Sequence, residues 1–171
     1  PATQQDAYDM TREAFDYSEE VGLPIILRLV TRLAHSRSRV VRLDQSDGKA
    51  TRFGDLLPLQ DFRDWTLVPM NARRRYRDLL AKQPRLLEDS DASKWNRLEL
   101  TGKKGVIVCG IAINYVRECM RHNPEELSVL EIRQYPMPAG LIRQMVDRAV
   151  AVGGVRVELY PVVRFRQHDR L

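Results

Sequence analysis

The densest collection of reactive side-chain types in the chain is T-R-L-A-H-S-R, Thr31 to Arg37, where a guanidinium, an imidazole and a hydroxyl fall within five positions. Arg32, His35 and Ser36 have the chemistry to orient an anionic group or to stitch two domains together. A second collection, Arg73, Arg74, Arg75 and Arg77, falls in one expected helix. It could grip the phosphates of nucleic acid or of a cofactor, or the acidic surface of a partner chain. A third is Cys109-Gly110-x-x-x-Asn114, a turn after an apolar strand pattern. It has one glycine where a dinucleotide fingerprint has three, and Arg133 and Gln134 stand where an acidic ribose reader would end the second strand, so nicotinamide binding is disfavoured. Gly110 then reads as a structural turn and Cys109 as an inert buried thiol. His35, His122 and His168 form no nucleophilic constellation, and neither G-x-S-x-G nor H-E-x-x-H occurs. Cys109 and Cys119 lie ten apart without a C-x-x-C pair. No residue is therefore assigned as catalytic, cofactor-binding or metal-ligating.

Composition sets the frame for these side chains. A chain of 171 residues with 43% hydrophobic and 30% charged content is in the ordinary globular range. Its longest apolar run, Gly105–Ile113, falls short of the roughly 18–20 residues of a membrane-spanning helix. No secretory pattern opens the sequence, and two unpaired cysteines suit a reducing compartment, so the expectation is a cytoplasmic protein with no membrane partner. Arginine outnumbers lysine 23 to 5. Between Pro24 and Leu87 fourteen Lys and Arg face six Asp and Glu, whereas the remainder is acidic by three charges. The basic character is local, and its arginines lack the interleaved aromatics of a stacking platform.

Helical spacing predicts a first helix capped by Thr3, carrying Ala7, Met10, Ala14 and Phe15 on one face and ended by Gly22. L-P-I-I-L-R-L-V, Leu23–Val30, reads as a strand buried on both faces, in which Arg28 would need a carboxylate or carbonyl partner. Asp47–Gly48 is a hairpin candidate between Val40–Leu43 and Ala50–Phe53. Asn71 is expected to cap the arginine-bearing helix, with Ala72, Tyr76, Leu79 and Leu80 as its buried stripe and Pro84 just past its end; residues 88–94 read as a linker. From Lys103 onward the pattern predicts strand Val106–Cys109, a helix through Met120, strand Val129–Ile132, helix Leu141–Ala149 and strand Val155–Leu159. This β-α-β-α-β order calls for an open, mostly parallel α/β sheet with right-handed crossovers.

Several stretches resemble a known family. D-A-Y-D-M-T-R-E-A-F-D-Y-S-E-E-V-G-L-P-I-I-L-R-L-V-T-R-L-A-H-S-R resembles the end of the pyrimidine-binding domain in the alpha subunit of indolepyruvate:ferredoxin oxidoreductase. V-P-M-N-A-R-R-R-Y, W-N-R-L-E, G-V-I-V-C-G-I-A-I-N-Y-V-R-E and Y-P-M-P-A-G-L-I-R-Q look like successive landmarks of the same subunit, covering most of residues 6–150. The final V-R-V-E-L-Y-P-V-V-R-F-R-Q departs from the family, which is more acidic here than Arg164 and Arg166 allow.

The resemblance implies a domain division. Residues 1–36 would be the last helix and strand of the thiamine pyrimidine-binding domain, 37–102 a connector with the arginine-rich helix, and 103–171 part of a Rossmann-like, three-layer transketolase C-terminal-like domain. Enzymes of the family oxidatively decarboxylate aryl pyruvates to aryl-acetyl-CoA with thiamine diphosphate, Mg²⁺ and coenzyme A, passing electrons through [4Fe–4S] clusters to ferredoxin. The partners so implied are the rest of the alpha subunit, a beta subunit and ferredoxin. The activating acid, the diphosphate-binding domain and the cluster cysteines have no counterpart in this chain. It is thus expected to bind none of these cofactors alone, and to position rather than catalyse. The runner-up is a non-enzymatic module whose basic segment binds nucleic acid or another polyanion.

Overall fold

A computed structural model describes residues 1–43, 66–123, 126–151 and 158–159. The chain divides into two units. One comprises residues 1–40 with the described residues from 87 onward, and the other residues 41–86.

In the first unit, helix α1 spans Gln4–Val21. It starts where the sequence predicts, because Thr3 and Asp6 form a capping box: the Thr3 hydroxyl accepts from the Asp6 N–H at 3.0 Å, and the Asp6 carboxylate accepts from the Thr3 N–H at 3.1 Å. It stops at Gly22, whose φ of 61° is the left-handed conformation that glycine adopts without penalty. After a short helix α2, Thr31–His35, and the last turn of helix α3, Pro69–Asp91, the chain forms a four-stranded sheet. Its strands are β1 (Arg97–Glu99), β2 (Lys104–Cys109), β3 (Leu127–Ile132) and β4 (Glu158–Leu159). The spatial order is β1-β3-β2-β4, with β3-β2 and β2-β4 parallel and β1 antiparallel on the outer edge.

Alternation along the strands sends side chains to two cores. Val108 and Val129 pack with Ile113 of helix α4, Ala112–His122, and with Ala2. Ile107, Leu130 and Ile132 pack with Met145 of helix α5, Ala139–Ala151. Helices on opposite faces make the sheet the middle of three layers. Leu130 and Ile132 are wholly buried, each contributing about 1.5–3 kcal/mol relative to exposure.

The expected open α/β sheet is therefore present, with several corrections. Leu23–Val30 is not a buried strand: it has no regular secondary structure and pairs with no strand among the described residues, and Ile26 is 89% exposed. A strand is stable only when neighbours take up its backbone donors and acceptors, and the described sheet runs elsewhere. Residues 88–94 are not simply a linker, because α3 continues to Asp91 through Pro84, and the antiparallel β1 follows. The expected stripe on α3 is not buried: Tyr76 is 61% and Leu80 50% exposed. In the second unit Asn71 donates its side-chain N–H to the Thr66 carbonyl at 2.9 Å, inside a helix that already begins at Pro69. The Asp47–Gly48 hairpin, most of strand Val155–Leu159 and Arg164 and Arg166 lie outside the described residues.

Candidate functional site

In an open α/β sheet, ligands enter at the C-terminal ends of parallel strands where the strand order reverses. Here α4 carries the chain from β2 to β3 on one side and α5 returns it to β4 on the other, so the reversal falls at β2, which ends in Cys109. Gly110 follows with φ 54°, its N–H donating to the Ile132 carbonyl at 3.1 Å and its carbonyl accepting from Ile113 at 3.2 Å. The α4 start has no side-chain cap. It is instead met by the chain's own opening residues. Asn114 Nδ2 donates to the Ala2 carbonyl at 2.8 Å, and a Cβ on Gly110 would stand 3.9 Å from the Pro1 carbonyl oxygen.

The loop after β3 is held by buried polar groups. Asn96 Oδ1 accepts from the backbone N–H groups of Arg133 and Gln134 at 2.9 and 3.0 Å, and its Nδ2 donates to the carbonyls of Gln134 and Ser90 at 3.1 and 2.9 Å. Ser90, with no exposed surface, donates to the Pro136 carbonyl at 2.5 Å, beyond a cis Tyr135–Pro136 bond. The Asp91 carboxylate caps α5 by accepting from Gly140 at 2.9 Å. This bracket presents Tyr135, which is 61% exposed over its whole surface. Partial burial of the hydroxyl, then its hydrogen bond to Cys109, pushes the Tyr135 phenol up to about 12, while the Arg28 charge pulls the other way. Cys109 is half-buried rather than fully buried. Arg28 is exposed and has no carboxylate partner among the described residues.

Of the residues singled out in Thr31–Arg37, Arg32 lies with its guanidinium 5.5 Å from the centre of the Tyr115 ring and donates to the Tyr115 hydroxyl. Ser36 accepts from Gln4 Nε2 at 2.5 Å and donates to the Leu33 carbonyl at 3.0 Å, so it joins α2 to α1. His35 is exposed beside them. Arg73, Arg74, Arg75 and Arg77 are exposed on α3 and belong to the second unit. Successive residues turn by about 100° around a helix, so the four do not form one cluster: Arg77 neighbours Arg73 and Arg74 through four- and three-residue spacings, and Arg75 points away from Arg77.

Sequence reasoning missed an ionic chain under α4. Glu131, 2% exposed in mid-strand, accepts from Arg117 Nε at 2.8 Å and from Arg133 Nη2 at 2.8 Å. Arg117 also grips Glu99 with two donors at 2.9 and 2.7 Å, and Arg133 reaches Asp6 at 3.3 Å. The Arg117 bonds hold the Glu99 carboxyl below its usual range. The signal was available in V-L-E-I: a glutamate within an otherwise apolar strand needs buried cationic partners. Among the described residues no group of three His, Cys, Asp or Glu could hold a metal ion, and no helix is long and apolar enough to cross a membrane.

Fold and site together define an α/β sheet segment whose polar groups join elements to one another. Over 151 residues it is 31% identical to indolepyruvate oxidoreductase subunit IorA of Methanothermobacter thermautotrophicus, covering 86% of this chain and 24% of that protein. It is 32% identical over 159 residues to IorA of Archaeoglobus fulgidus, at 86% and 24% coverage, and 32% over 174 residues to IorA of Pyrococcus abyssi, at 95% and 26%. The chain belongs to the family of the indolepyruvate oxidoreductase alpha subunit, and spans about a quarter of the length of these relatives. No family model and no solved structure matches it.

Proposed function

We propose that this chain is a positioning segment of an alpha subunit that, complete and paired with a beta subunit, oxidatively decarboxylates aryl pyruvates. Residues 1–36 end a thiamine pyrimidine-binding domain, 37–102 connect, and 103–171 belong to a transketolase C-terminal-like domain. The whole enzyme would use thiamine diphosphate, Mg²⁺, [4Fe–4S] clusters and coenzyme A, with ferredoxin as electron acceptor.

The observation that carries the reading is the segment Leu23–Val30, which pairs with no strand among the described residues. Its apolar run has the composition of a strand buried on both faces, yet Ile25, Ile26 and Leu29 are 39%, 89% and 45% exposed. A run of that composition is suited to a sheet that lies beyond the described residues, and the IorA relatives are about four times as long. The buried carboxylate of Glu131 fits the positioning role, because both its oxygens are taken by guanidinium groups that join strand to helix.

The test is steady-state reduction of ferredoxin by indolepyruvate. Turnover is expected from the full-length alpha subunit with its beta subunit, and none above background from residues 1–171. Turnover by the short chain would overturn the positioning role, and inactivity of the full assembly towards every aryl pyruvate tried would overturn the enzyme assignment.

A further inference from the structure

We propose that the C-terminal end of β3 and the first turn of α4 form a socket for the lead-in to α1, with Arg133 and Asn114 as its positioning residues. The socket sets residues 1–36 against the sheet. It deepens the positioning role and rests on that reading for its catalytic consequence, though not for its geometry.

The place where an α/β sheet of this order would receive a ligand is taken by backbone. Ala2, 2% exposed, lies in the core formed by Val108, Val129 and Ile113. Its carbonyl accepts from Asn114, 112 positions away, and its N–H donates to Asp6 at 2.8 Å. Asp6 serves two elements at once, since one oxygen completes the α1 capping box and the carboxylate also meets Arg133 across 127 positions. Arg133 passes the connection to Glu131, and Glu131 to Arg117 and Glu99. Four elements, α1, β3, α4 and β1, thus share one chain of charge-assisted bonds.

The energetics favour placement over stability as its purpose. The Arg133 side chain is only 15% exposed, and its Nε–H is buried without an acceptor. Desolvation of a buried pair is costly, and an apolar substitute of similar volume is often no less stable. What an apolar substitute cannot supply is direction. The two-ended arginine fork admits one register of Asp6 over Glu131, whereas a methionine would accept several.

The experiment uses the full-length alpha subunit assembled with its beta subunit, comparing wild type with Arg133→Met, Arg133→Lys, Asp6→Asn and the double variant Asp6→Asn/Arg133→Met. Amide exchange across Thr3–Met10 should speed up about tenfold in Arg133→Met, as for loss of a charge-assisted bond. In the double variant the acceleration should be less than the product of those in the two single variants, and wild-type exchange should be partly restored in Arg133→Lys. Misplacement of an element by about 1 Å can cost about a hundredfold in rate, so kcat should fall by roughly ten- to a hundredfold with KM within about twofold. Unchanged exchange in Arg133→Met, or strictly additive effects in the double variant, would overturn the socket. Altered exchange with wild-type kcat would overturn its positioning role. If the wild-type assembly turns over no aryl pyruvate, the functional reading fails while the exchange data still decide the socket.

Discussion

Tyr135 shows how a side chain with no sequence signature gains character from its surroundings. Its phenol is pushed up to about 12 by partial burial and by Cys109, with Arg28 opposing. Absorbance titration, with Tyr135→Phe as the reference, should find one phenol near 12. Cys109→Ala should lower that value and Arg28→Gln should raise it, whereas an ordinary value near 10 would remove the proposed contact. A raised phenol stabilises the fold fully below about pH 10, the unfolded value, and that contribution is lost as pH rises towards 12. Glu99 has the opposite sign. Held low by Arg117, it contributes stability above the ordinary glutamate value of about 4.3 and loses it as pH falls further. Because its side chain is 42% exposed, the effect is about 0.5 kcal/mol. Glu99→Gln should therefore unfold with a shallower acid slope below about pH 5, measured by urea denaturation across pH.

At the scale of elements, the loop after β3 is shaped by residues from before β1. Asn96 serves two donors and two carbonyls, so Asn96→Ala strands several buried groups at once. It should cost about 2–4 kcal/mol in urea unfolding. A loss below about 0.5 kcal/mol would mean that the loop holds itself. Helix α1 was legible from end to end, because Thr3, Asp6 and Gly22 are local signals acting on neighbouring backbone. The end of α3 was not. Pro84 reads as a stop, yet the helix runs on through it, because Ser90 and Asp91 beyond it are held by long-range partners that offset the lost backbone bond and the clash of the ring with the preceding turn. Strand β1 is three residues long and its evidence is its partner β3, which no local pattern reveals.

For the molecule as a whole, the exposed apolar segment Leu23–Val30 separates what this chain does from what a longer one would do. Ile26→Glu should leave the stability of residues 1–171 within about 0.5 kcal/mol, since the side chain is 89% exposed. In the full-length subunit the same change should impair folding or assembly, read by size-exclusion chromatography and thermal unfolding. Tolerance in both contexts would mean that no sheet receives the segment. The same contrast applies to α3, whose Tyr76 and Leu80 read as core by spacing and lie exposed among Arg73, Arg74, Arg75 and Arg77. Helical periodicity reports which face is apolar and says nothing of whether a partner covers it.

The sequence by itself determined the α/β order, the first helix with both its caps, the two central parallel strands and the family, because each rests on local chemistry or on pattern carried along the chain. Tertiary structure alone decided that β4 returns beside β2, that Glu131 is shared by Arg117 and Arg133, that Tyr135 lies beside Cys109, and that Ala2 and Asp6 sit at the C-terminal end of the central strands. These contacts join residues far apart in sequence, where only the closing of the fold brings charge to charge and donor to acceptor.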